Sequence, residues 1–278
     1  MTPSASPLNS TPVALTIAGS DSCGGAGIQA DLKTFSALGV YGASVITAVT
    51  AQNTFGVQAA APVDMQLVLQ QTHAVLGDLK VGAIKTGMLH NADIIEALWG
   101  AFRKSRIPLV VDPVMVATSG DRLLGEEAIG VLRDKLLPLA TLLTPNLDEA
   151  AVLLDGKVAK NVDEMEVQAR QLLKLGCNAV LLKGGHLPQR HASDILLGKK
   201  LHRRFDYEKI ATANTHGTGC TLSAAIAAYL AQGADLLQAV TRAREYLHDA
   251  LLQADDLAIS QKTGKGRHGP VHHFYRFW

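Results

Sequence analysis

Short runs of aliphatic and β-branched residues alternate along the chain with stretches whose apolar positions recur every three or four residues. The runs Val13 to Gly19, Ala43 to Gln52, Val81 to Gly87, Pro108 to Val114, Thr141 to Asn146 and Ala179 to Gly185 predict buried strands. Between them, helical spacing appears in "GAGIQADLKTFSALG". It recurs at Met65, Val68, Leu69, Thr72, Val75 and Leu76, and again at Ile94, Ile95, Leu98, Trp99 and Phe102. Ala128, Ile129, Leu132 and Leu136 mark a further helix, as do Met165, Ala169, Leu172 and Leu173. "DILLGKKLHRRFDY" breaks the rhythm and predicts a hairpin turning at Gly198-Lys199. Two more helices, in Asn214 to Leu230 and near Asp235 to Leu257, complete the series. Strand and helix in strict alternation imply right-handed crossovers, and so an α/β fold with a central, mainly parallel sheet flanked by helices on both faces. No repeat or linker divides the chain. The pattern predicts a disordered leader over residues 1–12, one domain over 13–260 and a basic, aromatic tail over 261–278.

Composition narrows the classes of function. Hydrophobic residues make up 47% of the 278 positions, and no apolar run is long enough to span a bilayer. The formal net charge of +1 leaves no electrostatic footprint for nucleic acid or a membrane surface. Cys23, Cys177 and Cys220 are odd in number and far apart. They form neither a disulfide framework nor a zinc pattern, which fits a cytoplasmic protein. "MTPSASPLNSTP" lacks the charged and apolar regions of a signal peptide.

The unusual residues fall at the ends of the predicted strands, where open parallel sheets bind ligands. "GSDSCGGAG" follows the first, "AQNT" the second, "KTGM" the third, "DPVM" the fourth, "TPNLDEA" the fifth and "KGGH" the sixth. In "NTHGTGCTLSAAIAAYL", Gly217 and Gly219 let an anion approach unpaired N–H groups at a helix N-terminus. Taken alone, this turn is as readily a loop that needs glycine only to bend. Cys220 enters the first helical turn, which predicts a lowered thiol pKa and a base or nucleophile; the alternative is a small buried apolar residue. Asp112 and Glu149 offer oxygen ligands suited to Mg²⁺, against an ordinary solvated helix face for Glu149. Lys183 is placed to reach a phosphate. "GSDSCGGAG" lacks the lysine of a P-loop, so it reads as a loop that brings backbone close to a flat ligand, with Asp21 as a possible N-cap. His268, His272 and His273 read as an ordinary tail rather than a metal site, and His216, Cys23 and Cys177 as structural.

Taken together, "TIAGSDSCGGAGIQADLKTFSALGVYGASVITAVTAQNT", "IKTGML", "VVDPVMVATSGDRLL", "LLTPNLDEAAVLL", "LLKGGH" and "NTHGTGCTLSAAIAAYL" closely resemble the hydroxymethylpyrimidine/phosphomethylpyrimidine kinase family of thiamin biosynthesis, within the ribokinase-like superfamily. The similarity runs from Val13 to about Leu257. It implies a ribokinase-like homodimer that uses ATP and Mg²⁺ to phosphorylate 4-amino-5-hydroxymethyl-2-methylpyrimidine, then the resulting monophosphate. By this resemblance Gly19, Ala26, Asp31, Gln52, Met88 and Val114 form the pyrimidine pocket. Asp112 and Glu149 serve Mg²⁺, and Asn146, Lys183 and Thr218 the nucleotide. Gly217, Thr218 and Gly219 make the anion hole, and Cys220 is the base. Gln52 carries a donor and an acceptor on one amide, which suits an aminopyrimidine edge. Cys23 stands where the family more often has serine. The competing readings are a pyridoxal kinase and a binding protein without turnover. Candidate lids are the "VATSGDRLL" loop, Val116 to Leu124, and residues 184–191.

Overall fold

The structure is a computed structural model that describes residues 10–115, 124–185, 187, 191–261, 264 and 266–278. Among the described residues nine strands form a single sheet: β1 (Val13–Asp21), β2 (Tyr41–Asn53), β3 (Gly56–Pro62), β4 (Val81–Thr86), β5 (Leu109–Val111), β6 (Leu142–Leu143), β7 (Ala179–Leu182), β8 (His191–Gly198) and β9 (Leu201–Glu208). Their spatial order is β3-β2-β1-β4-β5-β6-β7-β8-β9. The six strands from β2 to β7 run parallel, and β3, β8 and β9 add antiparallel edges. The chain leaves β1 toward β2 and later returns to β4 on the other side of β1. That reversal opens a crevice beyond the carboxyl ends of β1 and β4.

Adjacent strand residues point to opposite faces. Leu15, Ile84, Val111 and Leu143 enter one core, with Val68 of α2 (Met65–Asp78), Ile95 and Leu98 of α3 (Ala92–Phe102) and Met165 of α6 (Val162–Leu173). Their neighbours Ala14, Ala83, Val110 and Leu142 enter the other, with Phe35 of α1 (Gly27–Ala37), α7 (Thr218–Ala231) and α8 (Leu236–Leu252). The small residues of this second face admit α7 very close to the sheet. A Cβ at Gly82 would lie 3.1 Å from the backbone of Ala231. The helix is buried nearly all round, which its run of alanines allows.

Several details differ from the sequence reading. Strand β3, "GVQAAAP", is exposed along most of its length and carries no alternation that would mark it; it is held as an edge by β2. The hairpin closes at Lys199-Lys200, with Gly198 paired to Leu201, rather than at Gly198-Lys199. The helix expected around Ala128 to Leu136 is α4 (Glu126–Val131) continued by a π-helical stretch, Leu132–Leu136. A short α5 (Leu147–Leu153) follows β6. The C-terminal segment packs against the domain: Val271, His272 and His273 are buried, and the His272 N–H donates to the Ala250 carbonyl at 3.0 Å. The last residues of the tail are thus ordered against α8 rather than free. Most of the "VATSGDRLL" loop, several positions among 184–191 and most of the leader lie outside the described residues.

Candidate active site

The crevice at the β1/β4 switch point is a cavity of about 830 Å³. Its walls are the strand-end loops singled out in the sequence, closed on one side by the turn into α7. Gly19, Ala26, Gln52, Met88, Val114, Asp112, Asn146, Glu149, Lys183, Gly217, Thr218, Gly219 and Cys220 all line it. Asp31 does not. It is fully buried behind the wall, bonded to Lys85 at 2.8 and 2.9 Å and to the Thr16 hydroxyl at 2.5 Å. Helix α1 buries it beside Lys85 of β4.

Two glycine-bearing segments meet at the cavity floor. Gly217 has φ of 79°, a left-handed conformation that suits glycine. A Cβ on it would lie 1.8 Å from the Gly25 carbonyl oxygen. The glycines of "GSDSCGGAG" therefore admit the α7 turn as well as shaping the pocket. A Cβ at Gly19 would fall 2.3 Å from the Met88 side chain, so these two pocket candidates are in direct contact. Val114, three residues past the end of β5, has φ of 42°, an outlier for a β-branched residue.

The charged groups gather around Asp112, which is buried at the end of β5. Its Oδ1 lies 3.3 Å from Lys183 Nζ, and its Oδ2 accepts from the Ser223 hydroxyl at 3.1 Å. Gly219 sits against both: a Cβ there would be 3.3 Å from Lys183 Nζ and 3.6 Å from Asp112 Oδ2. Burial opposes the Lys183 charge, but Asp112 and Glu149 outweigh it and hold the ammonium above its ordinary range. Burial raises Glu149, Lys183 draws it back down and Asp112 pushes it up; the net direction is upward. Asp112 and Glu149 thus both stand close to the Lys183 ammonium.

Asn146 and Glu149 form a capping box at the start of α5. Asn146 Oδ1 accepts from the Glu149 N–H, and Glu149 Oε2 accepts from the Asn146 N–H, each at 2.8 Å. The N-x-x-E spacing in "TPNLDEA" carried this signal in the sequence. Ser223, one helical turn after Gly219, was not anticipated; its four-residue spacing from the anion turn was the available clue.

Cys220 occupies the first turn of α7, as expected. Its pKa runs the other way. Burial pushes the thiol up to about 11; Lys85 pulls against that, while Asp31 and Asp112 add to it. The helix terminus does not overcome desolvation beside two carboxylates, so the resting residue is a thiol. His216, expected to be structural, lines the cavity between Asp21 and Gln52. Asp21 does not cap α1, whose N-cap is Ala26. It organises its own loop instead, accepting from the N–H groups of Cys23, Gly25 and Ala26. Among the described residues, no group of three or more His, Cys, Asp or Glu could hold a metal ion, and no helix is long and apolar enough to cross a membrane.

A family model for phosphomethylpyrimidine kinase matches residues 21–272. The chain belongs to that family. It is 54% identical over 268 residues to the hydroxymethylpyrimidine/phosphomethylpyrimidine kinase of Rhizobium meliloti (strain 1021), covering 96% of this chain and 99% of the relative. It is 49% identical over 266 residues to the protein of the same name from Escherichia coli (strain K12), covering 95% and 98%. The thiamine biosynthesis bifunctional protein ThiED of Geobacter sulfurreducens (strain ATCC 51573 / DSM 12127 / PCA) matches at 47%, over 93% of this chain and 51% of its own length. Among solved structures, phosphomethylpyrimidine kinase from Clostridium difficile 630 matches with a TM-score of 0.77 at 45% identity, over 86% of this chain and 99% of that one. An ADP complex of Bacillus subtilis pyridoxal kinase matches with a TM-score of 0.85 at 38% identity, over 95% and 98%.

Proposed function

We infer that this protein is an ATP-dependent kinase that phosphorylates 4-amino-5-hydroxymethyl-2-methylpyrimidine and then its monophosphate, in thiamin biosynthesis. The observation that carries this reading is the single cavity holding both halves of the chemistry. Gly19, Ala26, Gln52, Met88 and Val114 suit a flat amino-bearing ring, and Lys183 and Gly219 suit a phosphoryl group, with Asp112 beside them for its cation. The cavity falls in the range of small-molecule and cofactor sites, toward its upper end. The relatives of 54% and 49% identity carry the pyrimidine kinase name, while the pyridoxal kinase neighbour stands at 38%. This favours the pyrimidine over vitamin B6.

In this reading Lys183, Asn146 and Thr218 hold the nucleotide phosphates. The N–H groups of the Gly217 to Gly219 turn receive the charge that develops on the transferred group. Asp112 and Glu149 would hold Mg²⁺, which supplies charge neutralisation on the phosphates. Their shared negative charge fits a cation, and the capping box fixes Glu149 in place. Cys220 receives the hydroxymethyl proton in the first step. Asp31 is a buried support, not a ligand contact. A homodimer in the cytoplasm belongs to the same proposal; sedimentation tests the assembly.

The direct test is a mass-spectrometric time course with ATP, Mg²⁺ and the pyrimidine, beside one with pyridoxal and one with chelator. Monophosphate followed by diphosphate, lost on chelation, is expected. Pyridoxal phosphate as the sole product would move the activity to vitamin B6 and leave the site standing. No product from either substrate would point to a binder without turnover.

A further inference from the structure

The loop after β1 and the turn into α7 are joined by a group that the phosphoryl chemistry does not use. His216 Nε2 lies 2.8 Å from Asp21 Oδ2 and 3.4 Å from the side-chain nitrogen of Gln52. The ring has little freedom. Its backbone N–H donates to the Gly269 carbonyl at 3.0 Å, and the residue pairs with Pro270 in a short parallel bridge. Across the loop, a Cβ at Gly25 would lie 2.5 Å from His216 Cδ2 and 2.9 Å from Pro270. The C-terminal segment therefore clamps His216 against the substrate side of the cavity.

The protons in this cluster can be assigned. Burial opposes a charge on Asp21, but His216 and the loop N–H groups outweigh it and hold the carboxyl below its ordinary range. An ionised carboxylate only accepts, so His216 Nε2 carries a proton directed at Asp21. That proton is spent on Asp21, so a Gln52 N–H beside the ring would meet a second donor, whereas the amide oxygen would not. At the other end of the amide, Thr50 Oγ1 stands 3.3 Å from Gln52 Oε1. The Thr50 hydroxyl lies 2.8 Å from the Ser20 carbonyl, its nearer acceptor, and spends its one proton there. It therefore presents a lone pair to Gln52. Both neighbours favour the amide turned over from its placement here, with the oxygen toward His216 and the nitrogen toward Thr50. The two orientations of an amide fill the same space and differ only in their partners.

We propose that His216 and Thr50 are positioning residues that fix the polarity of the Gln52 amide and so set which pyrimidine edge the pocket accepts. This rests on the pyrimidine kinase reading and on Gln52 facing the ring. With its partners satisfied, the amide keeps one N–H and one lone pair for a ligand, in a fixed order. A 4-aminopyrimidine offers an acceptor at the ring nitrogen and a donor at the amino group. A 4-oxopyrimidine offers the reverse order. A pinned amide separates the two; an amide free to turn over accepts both.

The test is calorimetric binding of 4-amino-5-hydroxymethyl-2-methylpyrimidine and of its 4-oxo counterpart to the full-length protein, to His216→Leu and to Thr50→Val. The wild type is expected to prefer the amino ring by at least about tenfold, and each variant to lose about tenfold of that preference, the worth of one hydrogen bond. General damage to the pocket lowers both affinities and leaves their ratio alone, so the ratio is the readout. Thr50→Val decides the matter if His216→Leu does not fold. An unchanged ratio in the folded variants, or a wild type that binds both rings equally, overturns the proposal alone. A wild type that binds neither ring overturns the pyrimidine reading and the proposal with it.

Discussion

Cys220 gives the sharpest prediction because its environment sets how often it can act. With the thiol pushed up to about 11, roughly one molecule in ten thousand carries a thiolate at pH 7 and roughly one in a hundred at pH 9. If the thiolate takes the proton of the hydroxymethyl group, the first phosphorylation should quicken by nearly tenfold per pH unit, about a hundredfold from pH 7 to pH 9. The second phosphorylation uses a phosphate nucleophile whose second pKa is about 6, so it needs no base above neutrality. Its rate should stay nearly flat over the same interval. Lys85 and Lys183 are both held above the ordinary lysine range against the pull of burial, so neither titrates within this window.

The assay follows each step separately by mass spectrometry. Initial rates are taken from the pyrimidine and from its monophosphate, with ATP and Mg²⁺ saturating at every pH. Cys220→Ser should remove the slope of the first step and slow it by about 10²- to 10⁴-fold, the usual contribution of a positioned base. The second step should change only a few-fold. Cys23→Ser is the control for the other thiol near the cavity. The reasoning is refuted by a flat first-step profile in the wild type, by the same slope in Cys220→Ser, or by equal losses in both steps.

Three further outcomes follow from the buried charges. Lys85→Met leaves the fully buried Asp31 uncompensated and should cost about 3 to 5 kcal/mol in urea unfolding; Lys85→Met with Asp31→Leu should recover most of it. Full destabilisation of the double variant would sink this account of the pair. His273 is buried against the Thr221 hydroxyl at 3.0 Å, and burial drives its pKa from 6.5 down to about 3. A group depressed in the fold contributes stability above its unfolded pKa and loses it as pH falls. Unfolding free energy should therefore drop below pH 6.5 by up to about 1.4 kcal/mol per unit, and His273→Gln should flatten the curve; equal slopes in both proteins would contradict it. Asp112→Asn removes charge from the proposed metal pair and should raise the Mg²⁺ concentration for half-maximal rate at least about tenfold. An unchanged Mg²⁺ requirement would take Asp112 out of that role.

What the sequence made legible is what depends on neighbours along the chain. Strand composition placed β1, β4 and β7, and the polar residues after them landed in one cavity because parallel strands must end on the same edge. The edge strand β3 was invisible because an exposed, alanine-rich segment has no face to encode; only its pairing with β2 makes it a strand. The errors at the site arose from distant contacts. A helix N-terminus does favour a thiolate, and that inference about Cys220 was sound for an isolated helix. It failed because Asp31 of α1 and Asp112 at the end of β5 stand close enough to add their charge to the burial. Asp31, expected at the ligand, is paired with Lys85 of β4 and does not line the cavity. His216 carried no spacing signal at all, since its partners are Asp21, Gln52 and Gly269, on three separate segments. The motifs mark where the site is, whereas proton positions and depth are set by residues paired across the sheet. The first calls for patterns along one strand or helix, and the second for knowledge of which carboxylate has found which lysine.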